Sequence, residues 1–219
     1  MQNLDCAEIQ IDELWGFINK KQRNVAADDD PTFGDVWTFT AVCADTKIVP
    51  CFKVGKRDGA TATAFVTDLA SRMKNRIQLS SDGLAAYVAA VEEGFGCDVD
   101  YGQIVKSYEA GEDNPQRRYS PAKLVSIDKR VIAGEPNMVV ISTSYNERLN
   151  GTTRHHMKRL ARLTLAFSKK FENFEAAVGL NFLYYNFALN HRSLRMTPAM
   201  AAGVASTQWT VADIVEMTT

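Results

Sequence analysis

The chain reads as an α/β domain, a mixed five-stranded sheet flanked by helices with a helical C-terminal part, and three observations predict this. Residues 9–15, 36–44 and 48–54 are β-branched and aromatic runs that suit an antiparallel meander. Strand and helix patterns then alternate through 61–76, 77–80, 84–93 and 99–108. From residue 144 onward the apolar spacing is helical.

In the first strand, IQIDELW at 9–15, Ile9 and Ile11 alternate with Gln10 and Asp12. Aspartate is depleted in strands and costly to bury alone, so Asp12 is either a strand-end group that reaches solvent or caps an amide, or a site acid. A polar stretch, 19–35, reads as a loop, and 36–44 with 48–54 form a hairpin. Residues 61–76 put Ala62, Phe65, Val66, Leu69 and Met73 on one helical stripe. The strand at 77–80 runs into Ser81, Asp82 and Gly83, which places the Asp82 carboxylate at the carboxyl end of the sheet, where α/β sites lie; a helix N-cap is its structural alternative. Residues 99–108 are the fifth strand. The segment 109–137, with Pro115, Pro121 and Pro136, reads as an insertion without clear periodicity, holding a short apolar patch at 124–127. Its Arg117, Arg118, Tyr119 and Lys123 could touch a phosphate backbone, but they suit an ordinary solvated loop better.

The helix that begins near Ser144 is the most informative. At about 100° per residue, Leu149, Thr153, Met157, Leu160, Leu163, Thr164 and Phe167 share one face. Glu147, Arg154, Lys158, Arg162 and Lys169 stand opposite, one acid among four cations, which suits either a wet salt-bridged surface or a polyanion site. Gly151 inside this helix costs about 1 kcal/mol against alanine. Residues 173–191 form a second helix, apolar nearly all round and therefore a central support; Thr197 and Pro198 open a short helix, and 210–217 a peripheral one.

The 219 residues suit one domain spanning 1–219, with a core over 9–108 and 138–192, the insertion, and C-terminal helices over 193–219. At 46% hydrophobic and 23% charged residues the chain can bury an ordinary core, and disordered or fibrous classes are excluded. No apolar run long enough to span a membrane and no export signal is present, so the expected location is cytoplasmic, with no membrane partner. Cys6, Cys43, Cys51 and Cys97 lie far apart without a CxxC pair, which argues against zinc; Cys43 and Cys51 could face each other across the hairpin, but reduced core thiols are expected. The net charge of -1 hides an asymmetry: residues 1–140 carry 16 Lys and Arg against 21 Asp and Glu, whereas 141–195 carry 9 against 3. A basic segment in a mildly acidic chain is the footprint of a polyanion site, or of a solvated helix face.

Three strands, then helix, strand, helix, strand and helix, with Asp12 on the first strand, Asp82 ending the fourth and Glu147 on a late helix, is the ribonuclease H-like plan. There the fourth strand lies beside the first, and neighbouring strands are about 4.8 Å apart, so two aspartates can share a metal ion. Hard oxygen ligands favour Mg²⁺ or Mn²⁺ over zinc.

The blocks IQIDELW, SSDGLAAY and ERLNGTTRHHMKRLARLTLAFSKK resemble the three catalytic blocks of bacterial transposases of the insertion sequence 1 family, and YYNFALNH with LRMTPAMAAG resembles their C-terminal block. The resemblance runs from about Ile9 to Gly203. It implies a DDE triad of Asp12, Asp82 and Glu147 that performs metal-dependent DNA cleavage and strand transfer with two Mg²⁺ or Mn²⁺ ions, Asp12 bridging both. It further implies that Arg154, Lys158, Arg162 and Lys169 hold the DNA backbone, that Asn150 orients Glu147 or a phosphate, that His155 and His156 are surface or DNA-facing, and that the protein acts as a homo-oligomer on DNA. Members of that family carry an N-terminal zinc-binding and helix-turn-helix region; here the first catalytic strand begins about eight residues from Met1, so a catalytic domain without that DNA-recognition region is expected. Two rival readings remain: a ribonuclease H-like nuclease without strand transfer, and a truncated, non-catalytic DNA-binding or inhibitory fragment.

Overall fold

The alternating apolar residues of β1 (Glu8–Ile18) serve two cores, one on each face of the sheet. The computed structural model describes residues 1–108 and 124–218. β1 pairs antiparallel with β2 (Gly34–Cys43), which pairs antiparallel with β3 (Phe52–Gly55). On its other side β1 runs parallel to β4 (Ile77–Ser81), and β4 runs parallel to β5 (Val99–Tyr108). A sixth strand, β6 (Leu124–Ala133), completes the order β3-β2-β1-β4-β5-β6.

Ile9 and Ile11 point into a core with Phe39, Phe65, Leu69 and Tyr87, covered by α1 (Gly59–Arg72) and α2 (Ala86–Phe95). Leu14 and Ile18 point the other way, toward Leu149 of α3 (Ser144–His156) and Phe174 and Val178 of α4 (Phe171–Phe187). Gly16 lets these layers close: a Cβ there would lie 3.0 Å from the Phe174 ring and 3.2 Å from Leu160. Two short helices follow, α5 (Pro198–Ala201), capped by the Thr197 side chain as expected, and α6 (Val211–Thr218). Among the described residues no helix is long and apolar enough to cross a membrane.

The mixed sheet with flanking helices is the expected class, but it has six strands rather than five. Every residue of β6 is exposed or half-buried, so neither face imposes the apolar alternation that reveals a strand in sequence. The read of 109–137 as an insertion therefore fails over 124–133, and Arg117, Arg118, Tyr119 and Lys123 lie outside the described residues. β3 is shorter than 48–54 because Pro50 has no N–H for the ladder. Cys6, Cys43 and Cys51 are buried free thiols as expected, while Cys97 is exposed. Cys43 shares a hydrogen bond with Cys6 rather than facing Cys51 alone.

The long late helix also ends early, at His156. Arg154, Lys158 and Arg162 would stack like charges at four-residue spacing if it continued, and such pairs are mildly destabilising. The chain instead takes a 3-10 turn at Lys158–Leu160, buries Leu160 under Gly16, and returns to β1, where Asn19 N–H donates to the Ser168 carbonyl at 2.8 Å. Leu149, Thr153, Met157 and Leu160 are buried as the face arithmetic requires, but Leu163 is 73% exposed. In α4, Leu180 and Tyr184 reach the surface, so its support of the domain comes from the Phe174, Val178 and Phe182 stripe.

Polar groups fix α3 against the sheet. The Thr143 side chain does not cap its N-terminus; instead Gln10 Oε1, from β1, accepts from Tyr145 N–H at 2.8 Å and from Asn146 N–H at 3.4 Å. Asn146, fully buried, donates to the carbonyls of Gln10 at 3.0 Å and Thr40 at 2.9 Å and accepts from Thr40 Oγ1 at 2.9 Å. Asn146→Ala should therefore cost about 2–4 kcal/mol, since it strands several buried polar groups at once. Urea unfolding is the measurement, and a loss under about 1 kcal/mol would mean that apolar packing alone holds α3.

Candidate active site

β1 and β4 are paired only from Glu8 to Gln10, with Gln10 opposite Ser80. Two residues further on, the same register sets Asp12 opposite Asp82, at the point where β4 has ended and β1 continues with a free side. Asp12 shares its face with Gln10 and Leu14, which is the face that α3 covers. Asp82 Oδ1 accepts from Leu84 N–H at 3.0 Å in a turn ahead of α2, and the first-turn cap of α2 is Ala85 rather than Asp82.

Asp12, Asp82 and Glu147 line one cavity of about 450 Å³, together with Lys106, Thr143 and Tyr108. Asp12 and Glu147 also border a second hollow of about 500 Å³, which holds Asn150, Arg154, Arg162, Trp15 and Trp37. The three acids are thus on one cavity, but they are not equally close. The tight group consists of Asp12, Glu13 and Asp82, whose carboxylate oxygens lie within 4.8 Å of one another, and Glu147 stands outside it. Glu147 accepts from Thr143 Oγ1 at 2.8 Å and forms an ion pair with Lys106 of β5.

The electrostatics separate these groups. Burial, then the charge of Glu13, then those of Asp82 and Glu147, push the Asp12 carboxyl up to about 7, against the Glu13 N–H that donates to Oδ1 at 2.8 Å. Asn150 Nδ2 donates to Asp12 Oδ2 at 2.8 Å. Glu13 is 8% exposed and is also pushed up by burial and by Asp82; Arg57 at 2.6 Å and the Tyr87 hydroxyl at 3.0 Å oppose that. For Glu147 burial acts upward, but the hydrogen bonds from Lys106 and Thr143 outweigh it and hold the carboxyl below its usual value. Among the described residues Arg154 Nε is buried without a hydrogen-bond partner, and burial together with Arg162 lowers the affinity of Arg154 for a proton.

Of the residues expected to hold DNA, Asn150, Arg154 and Arg162 border the hollow beside Asp12. Lys158 and Lys169 do not, because the helix that would have carried the four cations on one face stops at His156; Lys158 borders an apolar groove with Leu180 and Val211 instead. Arg162 arrives through the returning chain. Glu13, Arg57 and Lys106 were not anticipated. Glu13 was open to the argument that found Asp12, since it follows Ile9 and Ile11 on the opposite face of the same strand. Lys106 meets Glu147 across 41 residues, and nothing local marks it.

The Asp12 shift sets a pH dependence of stability. Its carboxyl binds protons more tightly folded (about 7) than at the ordinary value of 3.8, so the associated stability is complete below pH 4 and is lost as pH rises toward 7. Metal-free protein should melt at a lower temperature at pH 8 than at pH 5, and Asp12→Asn should remove most of that difference and be at least as stable at pH 8. A mutant less stable at both pH values, with the difference intact, would make Asp12 a structural cap.

No protein-family model matches the sequence, and no curated protein matches it. Among solved structures, the fold is similar to that of a piggyBac transposase in a synaptic complex with hairpin DNA, with a TM-score of 0.45 and 11% identity over 80% of this chain. The match spans 45% of that transposase chain.

Proposed function

We propose that this chain is the catalytic domain of a DDE-type DNA transposase resembling those of the insertion sequence 1 family, with Asp12, Asp82 and Glu147 holding the divalent metal. The observation that carries this reading is the juxtaposition of Asp12 and Asp82 where β1 and β4 part, with Glu147 facing the same cavity from a helix tied to β1. The donors fit Mg²⁺ or Mn²⁺: Asp12, Asp82 and Glu147 offer only carboxylate oxygens around one cavity, and a cation there relieves the burial and the neighbouring negative charges that push Asp12 up. When bound, such ions activate the attacking hydroxyl and stabilise the leaving oxygen of a phosphodiester.

The protein's own groups divide the remaining work. Asn150 orients Asp12 through Oδ2. Arg57 pairs with Glu13, whose charge still adds to the burial that pushes Asp12 up; in this proposal Glu13 supports the site and does not hold the metal. Lys106 and Thr143 hold Glu147 at the cavity's far wall. Arg154 and Arg162, beside Asp12, supply the positive surface on which a phosphate backbone lies, with Trp15 and Trp37 at its edge.

Two measurements test this. Mn²⁺ should raise the melting temperature of the wild type and support cleavage of a labelled duplex, and Asp12→Asn and Glu147→Gln should abolish both responses. On pre-cleaved ends, joined products support transposase chemistry, cutting without joining moves the assignment to a nuclease, and an Asp12→Asn protein that still responds to metal removes the triad. Separately, Arg154→Ala with Arg162→Ala should weaken binding to unrelated DNA sequences equally and reduce the salt slope by about two, at roughly one per phosphate contact. Unchanged affinity and slope would mean that this surface meets only solvent.

A further inference from the structure

Helix α3 has a second functional-looking flank. The residues that border the acid site, Glu147, Asn150 and Arg154, form one stripe; Tyr145, Arg148, Leu149, Thr152 and His156 form another, and that stripe lines a separate cleft of about 960 Å³. The turn between β2 and β3 and the segment after α4 make its other walls. Asn186 of α4 ties those walls together, its carboxamide donating to the Val49 carbonyl and accepting from Val49 N–H, both at 2.9 Å.

The cleft is basic around an apolar floor that includes Val42, Leu149 and Tyr185. Lys47, Arg148 and Arg192 line it with His156 and His191, against the single carboxylate of Asp45. Arg148 and Arg192 are exposed, and neither has an ion pair or side-chain hydrogen bond among the described residues. Lys47 adopts φ 59°, a conformation uncommon for a residue with a side chain, and its ammonium lies 3.4 Å from the centre of the Tyr145 ring. His191 reports the local field: burial, Lys47 and Arg148 all lower its affinity for a proton. Three permanent cations around one concavity repel one another unless an anion joins them. The chain's overall charge of -1 makes this local excess of positive charge a property of the cleft rather than of the protein.

We propose that this cleft binds the phosphate backbone of nucleic acid at a second place, beyond the segment held at the acid site. The proposal rests on the reading that the acid site acts on DNA. The wall between the two sites is a single helix about 10 Å across. That is about three nucleotide steps at 3.4 Å each, so one strand can pass from the Arg154 side of α3 to the Arg148 side. Lys47, Arg148 and Arg192 come from three separate chain segments, which suits successive phosphates along a strand.

The test uses the Asp12→Asn protein, so that DNA stays intact, with Arg148→Ala and Arg192→Ala added. Fluorescence anisotropy over a KCl series reads affinity for a 30-base-pair duplex and for a four-nucleotide oligomer. The duplex should bind about tenfold or more weakly at 0.1 M salt, with a slope smaller by about two, while the oligomer changes less than about twofold. Arg148→Lys with Arg192→Lys should restore the slope, which a folding defect would not permit. Unchanged duplex affinity and slope, in a protein where Arg154→Ala still weakens binding, overturns the cleft alone. A parent protein that binds neither probe overturns the DNA reading and the cleft with it. ATP bound by the parent and lost in the double variant, with duplex affinity unchanged, makes the cleft a free-nucleotide site and overturns the backbone assignment.

Discussion

A carboxylate taken out of water must find a cation or a proton, and Asp12 places that requirement at the centre of this molecule. The charges of Glu13, Asp82 and Glu147 add to the burial that pushes its carboxyl up, and among the described residues its carboxylate accepts from one backbone amide and one carboxamide. Glu13, buried where Asp12 is half-buried, is answered by Arg57 and Tyr87. The contrast between adjacent residues on one strand separates a structural acid from one whose charge is left over. Arg154 and Arg162 border the same hollow, yet among the described residues Arg154 Nε is buried with no hydrogen-bond partner, so the positive side of the site is also unsatisfied.

The scaffold brings these groups together by stopping a strand. Where β4 ends, β1 loses its neighbour on that side, and the gap becomes the cavity; β5 and α3 supply its other walls through Lys106 and Glu147. Open α/β sheets place ligands beyond the carboxyl ends of parallel strands for this reason. A further helix is needed to close the site, and Gln10 and Asn146 hold it by polar bonds that specify its rotation as well as its distance.

How much of this was legible in the sequence follows from the range of the interactions. Alternation of Ile9 and Ile11 with Asp12, and the acid at a strand-to-helix turn, are local patterns, and they located Asp12 and Asp82 correctly on the sheet. Glu147 was placed by helical spacing, which holds over α3 and fails after His156, where contact with β1 overrides the period and takes Lys158 and Lys169 away from the site. β6 carries no strand signal in sequence because neither of its faces is buried. Lys106 and Arg57 reach their partners over 41 and 44 residues, a separation at which a sequence without its fold carries no signal.

The interleaving of two stripes on α3 makes the length of this helix matter as much as its composition. One added or deleted residue in its first turn rotates everything after it by about 100°. The positions now occupied by Glu147, Asn150 and Arg154 would then pass to their neighbours, and Arg148 with Thr152 and His156 would leave the basic cleft at the same time. Gly151, with open space where a side chain would begin, tolerates substitution far more readily than this segment tolerates a change in register. A single-residue indel here acts on both cavities at once, whereas most point changes act on one.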